Sequence, residues 1–393
     1  MTQCASIFSQ ILTFFNRNEF ADIVRKYKAE RHAKGFSCWH QFVAMMFCQL
    51  AQAHSLREIC GGLACCLGKL KHLGLAKAPK KSTLSYANEH RPWEVYQDLF
   101  YKLLARCQTL AANKKRRFRF KNKLQSLDAT TIDLCLSMFP WADFRTTKGA
   151  VKLHLLLDHD GYLPTYAVIT EGAAHEVNIA RQMQLSAGSI VVVDRGFNDY
   201  ELFAHWTKKG VYFVTRMKTN AVYTVLEQRR PPQNRNIWRD EVILLTGAGA
   251  FDKCPCPLRR IVVWDPVKEE EVVFLTNHFK FGATTIAQIY KDRWQIEVFF
   301  KALKQNLKVK SFVGTTPNAL KTQIWTALIA MLVLKFLQLK SKLAWSLSNL
   351  VAMLRWNLFT YRDLWIWLDE PFDTPPLMPS FPQLVLSWTA NDG

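Results

Sequence analysis

Acidic residues are scarce in this chain. Its 393 residues carry 32 Asp and Glu against 52 Lys and Arg, giving a formal charge of +20 and a pI near 9.6. That imbalance marks a polyanion binder, with nucleic acid the first candidate. Long apolar runs are also missing. The stretch 35–56 has no Lys, Arg, Asp or Glu, yet it holds Ser37, His40, Gln41, Gln49, Gln52 and His54 and is too polar to cross a bilayer. The run 322–334, between Lys321 and Lys335, falls short of the roughly 20 residues a span requires. No membrane association is expected, and MTQCASIFSQ lacks the basic-then-apolar pattern of a secretory leader, so a cytoplasmic location is expected. Ten cysteines lack the spacing of a metal site or disulfide framework: Cys254-Pro-Cys256 has no second pair, and Cys65-Cys66 lies in an apolar helix. Reduced, mostly buried thiols are expected.

What is present is a substantial core. A hydrophobic share of 49%, with 13% aromatic, excludes a disordered chain and at this length supports two or three domains. Residues 1–110 read as helices. Trp39, Phe42, Val43, Met46 and Leu50 recur at helical spacing, Ser55 and Glu58 form a capping box opening a second helix that ends near Gly61-Gly62, and Pro92 starts a third. The turn at Ala53–Ser55 and the following basic, Ser-rich segment fit an all-α DNA-binding domain. A basic linker follows at 111–123. Its KKRRFRFKNK has seven basic residues in ten, and Phe118 and Phe120 alternate with cations, an arm suited to phosphates.

From 124 the pattern turns to strands. Segments 124–136, 151–157 and 163–170 alternate, the last two joined by the hairpin turn 158–161. A helix at 175–183, an all-apolar strand at 189–194, a helix at 199–209 and a strand at 211–216 complete the order β-β-β-α-β-α-β, which is that of the RNase H-like fold. In that order the first and fourth strands are neighbours. Asp128 lies inside the first, with Thr130 on its face and Asp133 on the other, and Asp194 ends the fourth at the carboxyl edge where ligands sit in α/β sheets. Two carboxylates side by side repel unless a cation lies between them, which implies a divalent metal. His154, His159 and His175 are expected to be structural.

The third acid is expected on 286–310, read as one long helix. Tyr290, Arg293, Glu297 and Lys304 fall within roughly 60° of one another at about 100° per residue, so a lone carboxylate stands in a basic stripe. Three carboxylates among Lys and Arg suit two Mg²⁺ (or Mn²⁺) ions per active site for phosphoryl transfer. Beyond 315 the chain is apolar and helical at 324–339 and 344–368, with a Pro-rich tail from 371 to 393.

These motifs resemble the DDE insertion-sequence transposases of bacteria, and within them the IS-four family. Tyr, two residues, Arg, three residues, Glu, six residues, Lys is matched by Tyr290, Arg293, Glu297 and Lys304. Leu127-Asp128-Ala129-Thr130 and Val193-Asp194-Arg195-Gly196-Phe197 are similar to the segments around that family's first two acids. The N-terminal text, at 36–42 and 82–89, is similar to the helical leader domain of one branch. The resemblance implies a catalytic core at 124–220 and 283–315, interrupted by a β-rich insertion at 221–282 and followed by C-terminal helices at 316–370. It implies Asp128, Asp194 and Glu297 as catalytic metal ligands. Tyr290, Arg293 and Lys304 become DNA contacts, with Arg195, Lys301, Lys114, Lys115, Arg116, Arg117 and Arg119 as further candidates. An insertion-domain Trp, here Trp238 or Trp264, would stack on a flipped base. Family members bind double-stranded DNA at terminal inverted repeats, expose a 3′-OH and join it to target DNA, usually as a synaptic homodimer. A catalytically silent DNA-binding regulator and a metal-dependent nuclease of the same fold remain open alternatives.

Overall fold

A computed structural model describes residues 5–373 except 32, 67, 113, 115, 146–147, 234–235 and 308–311. Lys115 and nearly all of the Pro-rich tail therefore lie outside the described residues. The N-terminal part forms α1 (Ile7–Leu12), α2 (Arg17–Lys26), α3 (Cys38–Leu50), α4 (Leu56–Cys65), α5 (Lys81–His90) and α6 (Glu94–Ala112). Ser55 caps α4 as its pattern predicts: its hydroxyl accepts the Glu58 amide, and the Glu58 carboxylate accepts the His54 amide. The helix runs past Gly61 and Gly62, contrary to expectation. Gly62 is there for contact, because a Cβ would come within 2.8 Å of the Phe47 ring on α3.

The sheet follows with β1 (Leu124–Leu134), β2 (Asp143–Arg145), β3 (Lys148–Asp158), β4 (Leu163–Glu171), α7 (Glu176–Gln182), β5 (Ile190–Val193), α8 (Tyr200–Lys208) and β6 (Tyr212–Arg216). Strand β3 pairs antiparallel with β1 and β4, while β5 runs parallel to both β1 and β6. The order β4-β3-β1-β5-β6 is that of an RNase H-like core. All four residues of β5 are buried because both faces are covered. Val191 and Val193 pack under Phe203 and Trp206 of α8, and Ile190 and Val192 under Ile286 and Ile289 from the other side.

The segment after β6 adds β7 (Tyr223–Arg229), β8 (Ile237–Leu245), α9 (Ala250–Lys253), β9 (Leu258–Asp265) and β10 (Glu270–Thr276). These strands fall within the stretch 221–282 expected to be β-rich, and in β7 five of the seven residues are exposed. Strand β10 pairs antiparallel with β6, so the inserted strands continue the core sheet, which reaches ten strands. The remaining helices are α10 (Ala283–Asp292), α11 (Trp294–Asn306), α12 (Pro317–Lys340), α13 (Leu347–Asn357) and α14 (Leu364–Asp369). The stretch expected as one helix is thus two. Ile296 donates to the Arg293 carbonyl and Arg293 to that of Tyr290, three-residue spacings that tighten the chain at Arg293.

Helix α12 is the one element among the described residues long and apolar enough to cross a membrane, and the protein buries it. It packs on α3, α5, α6 and α13, within one core cluster running from Ile7 to Leu368. The N-terminal helices consequently share their core with the C-terminal ones. All described cysteines are free thiols, but Cys65, the last residue of α4, and Cys135, just after β1, are exposed.

Candidate active site

Strand β1 is fully buried from Leu124 to Leu127 and half-buried from Asp128 to Thr131, so Asp128 stands where the first covered stretch of the strand ends. The parallel register pairs Leu127 with Val193, which makes Asp128 and Asp194 the next residues on adjacent strands. Asp194 begins a turn: its Oδ1 accepts the Gly196 amide at 2.6 Å, and its backbone carbonyl accepts the Thr215 hydroxyl at 3.0 Å. Asp128 Oδ1 accepts the Ala129 amide at 2.8 Å.

Helix α11 crosses this edge of β1. Arg293 donates to Asp128 Oδ2 at 3.3 Å and, through its other terminal nitrogen, to Glu297. Lys304 donates to the Thr131 carbonyl at 2.8 Å, fixing the far end of the helix to the same strand. The polar stripe therefore faces β1, and one guanidinium bridges the first and third acids. Burial pushes the Asp128 carboxyl up to about 7; the Ala129 amide and Arg293 oppose that rise, and Asp194 and Glu176 add to it. Burial disfavours the Arg293 charge, but Tyr290, Asp128 and Glu297 outweigh it and raise its affinity for the proton.

Glu297 is not the lone acid of this region. Asp292, one residue before Arg293, is wholly buried. It pairs with Arg117, accepts His159 Nδ1 at 2.6 Å, and lies 3.3 and 3.4 Å from the Tyr162 hydroxyl. His159 Nε2 in turn meets the Ser126 hydroxyl at 2.7 Å, two residues before Asp128. The network ties the first-acid strand to the third-acid helix and holds Tyr162 at a left-handed φ of 52°. The Ser–His–Asp order imitates a hydrolase triad, but Ser126 is fully buried and has no access to substrate. Spacing gave no sign of this; a carboxylate beside an arginine reads as a surface pair. His154 is structural as expected, bonded to Thr170 at 2.9 Å, and burial lowers it to about 4.

Other expected DNA contacts are already engaged. Arg116 pairs with Asp160 at 2.9 Å and Arg117 with Asp292, so the basic arm is stapled along the sheet, with Phe118 stacked on Phe120 and Phe120 against Phe281. Lys114, Arg119, Arg195 and Lys301 are exposed. Trp238 and Trp264 stack on each other, centroids 4.7 Å apart and 6° from parallel. Trp264 lines a cavity of about 400 Å³ together with Tyr290, Arg293, Arg216 and Trp294.

Residues 119–333 match the model of the transposase DDE domain, more than half of the chain. The chain belongs to the DDE transposase family. Residues 3–76 match a domain of unknown function, DUF4372. A protein of Sinorhizobium fredii named as a transposase is 29% identical over 307 residues, covering 77% of this chain and 83% of that one. A second, from Geobacillus stearothermophilus and named as the transposase of an insertion sequence element, is 29% identical over 263 residues, 66% of this chain and 68% of its own. A chain of the piggyBac transposase synaptic complex with hairpin DNA overlays at a TM-score of 0.45 with 10% identity, covering 96% of this chain and 84% of that one, too distant a likeness to argue from.

Among the described residues of the transposase, no three His, Cys, Asp or Glu side chains converge closely enough to hold an ion as they stand, since Glu297 is turned to Arg293. The donor chemistry nonetheless fits Mg²⁺. All three groups are carboxylates, and the buried Asp128 has only a shared guanidinium to balance its charge.

Proposed function

We propose that this DDE transposase binds the ends of its own element, cleaves the DNA to expose 3′-OH ends and joins them to target DNA. Asp128, Asp194 and Glu297 act as the ligands of two Mg²⁺ or Mn²⁺ ions. The observation that carries the reading is the register that sets Asp128 beside Asp194, with Glu297 drawn to the same edge through Arg293. Such ions, when bound, activate the attacking hydroxyl and stabilise the leaving oxygen.

The chain's own residues prepare that chemistry. The buried strands β1 and β5 hold the first two carboxylates on rigid elements, and the Lys304 bond to Thr131 fixes the helix that carries the third. Arg293 keeps Glu297 and Asp128 from repelling each other in free protein. Its Nε is buried without a partner, a donor available to a phosphate oxygen once the carboxylates turn to metal. Tyr290, held half-buried against Phe274, and exposed Arg195 and Lys301 serve as backbone contacts. Trp264 supports the base-stacking reading because it faces a cavity shared with Tyr290 and Arg293, whereas Trp238 covers its other face. The N-terminal helices recognise the inverted repeats, and two protomers act together on paired ends in the bacterial cytoplasm.

The test is cleavage and strand transfer on a labelled duplex carrying the DNA that flanks this protein's gene, in Mg²⁺ or EDTA. Metal-dependent 3′-OH ends that join a second duplex are expected. Binding with no cut in Mg²⁺ or Mn²⁺ would leave a silent DNA-binding protein, and cutting without joining a nuclease.

A further inference from the structure

A second cavity, about 870 Å³, opens on the side of α11 away from the insertion strands. Its size is within the roughly 300–1,000 Å³ of small-molecule sites. Three elements wall it. Helix α11 contributes Trp294, Glu297 and Lys301, α12 contributes Lys335, and α13 begins there with Ser346 and Ser348. Trp294 is 59% exposed and lines this cavity as well as the one beneath Trp264, so it stands as a partition between them.

Lys335 is the group without an explanation. It projects from α12, the one helix among the described residues long and apolar enough to cross a membrane, with its ammonium 5.9 Å from the centroid of the Tyr162 ring. Among the described residues no side chain hydrogen bonds to it or forms an ion pair with it. Burial lowers it to about 8, the mark of a cation held where its charge is poorly solvated. A half-buried ammonium with only a ring beside it is poorly solvated, and an anion entering the cavity would use its charge. The start of α13 adds a second anion-favouring element. This 11-residue helix starts at the cavity, with Ser346, Leu347 and Ser348 in the lining and Ser346 capping the Asn349 amide at 3.2 Å, and a helix start favours an anion. Glu297 is the carboxylate of the lining, and it is engaged by Arg293.

From this the geometry points to a nucleotide subsite. A DNA nucleotide adjoining the scissile phosphate enters the cavity, its phosphodiester on Lys335 and the first turn of α13 and its base along Trp294. The proposal rests on the reading of Glu297 as a ligand at the reaction centre, which places the cavity one step along the strand. Lys301 on the rim completes the positive mouth. The subsite selects a strand that leaves the duplex, because the cavity is too small to admit paired bases.

The experiment measures binding of the full chain to the gene-flanking duplex across a salt series, with a neutral methylphosphonate placed in turn at each phosphate near the cut. Wild type is compared with Lys335→Met, which keeps the length of the side chain and removes its charge, and with Trp294→Ala. In wild type, one or two adjacent methylphosphonates should weaken binding. Lys335→Met should be indifferent to those same positions and should lower the slope of log K against log salt by about 1. Trp294→Ala should keep the phosphate sensitivity but lose the fluorescence change of a 2-aminopurine set at that nucleotide. Unchanged slope and unchanged methylphosphonate sensitivity in Lys335→Met would overturn the subsite and leave the transposase reading standing. No binding of wild type to any flanking duplex would overturn both.

Discussion

Two sets of acids lie along one sheet, one buried and one half-buried, and they are neutralised in different ways. In the inserted strands each acid has its own arginine. Arg259 donates Nε and Nη2 to Asp240 at 2.8 and 2.7 Å and passes Nη1 to the His278 and Phe281 carbonyls, while Arg260 meets Glu241 at 2.6 Å. Where β1 runs beside the end of β5, Asp128 and Glu297 share the single guanidinium of Arg293, while Asp194 on the neighbouring strand end accepts the Gly196 amide. The first arrangement gives each carboxylate a cation of its own and serves the fold, although Arg260 Nε is buried without a partner. The second is short of positive charge, and a site short of positive charge can take up cations without first dismantling itself. One sheet thus holds a cluster with an arginine for each acid and a cluster with fewer cations than acids, and the second is the one proposed to take metal.

Removing acids from the two clusters should have opposite consequences. Asp128→Asn or Glu297→Gln is expected to lower cleavage in Mg²⁺ on the order of 10³-fold or more, because the acids act as a unit. DNA binding should persist, and the melting temperature should hold or rise, since Asp128 is destabilised by its burial. Single-turnover cleavage beside thermal melts decides it; a variant that melts early would erase the contrast. Next in size is Arg259→Met, which leaves Asp240 buried without a partner and should cost about 3–5 kcal/mol in urea unfolding. Adding Asp240→Leu should restore most of that loss. If the double variant stayed as unstable as the single one, the pair would be holding more than its own charge. Asp292→Asn should cost somewhat less, about 2–3 kcal/mol, because Arg117 is half-exposed and recovers water. It should also slow cleavage, since the helix carrying Arg293 and Glu297 loses its tie to β1 through His159 and Ser126.

How far the sequence led differs by the kind of signal. Asp128 and Asp194 are legible because polar residues that interrupt or end apolar strands are anomalies of a local pattern, and the order of elements is enough to bring their strands together. Glu297 is legible through helical spacing. The union of inserted and core strands is not, because the pairing of β6 with β10 joins residues about 60 positions apart and leaves no local trace. Neither is the turn at Arg293, where a helical φ of −52° and ψ of −31° continue while the hydrogen bonds shorten their reach. Arg116 and Arg117 read as a free arm because a run of cations shows nothing of the acids that fold back on it. Lys335 was concealed by its own charge. It reads as the boundary of the apolar run 322–334, yet α12 continues past it to Lys340 and sets it, half-buried, on the cavity wall.

That lysine supplies the expected effect with the clearest dependence on pH. Its folded value lies near 8, below the ordinary 10.5, so the folded protein is penalised for keeping the proton and the unfolded chain binds more protons between those values. Stability should therefore rise with pH from about 8 to 10.5, with the penalty fully present below 8. Lys335→Met removes it and should melt higher than wild type at pH 7, by up to about 3 kcal/mol. The gap should narrow as pH climbs and vanish near 10.5. Melts of both proteins across that range, without DNA, make the test independent of any activity. A gap that ignored pH would mean the methionine gains by packing alone, and a lower melting point would mean the ammonium has a partner that holds it in place. The expected closing gap would set Lys335 beside Asp128, each kept at a cost to stability where a charged ligand would repay it.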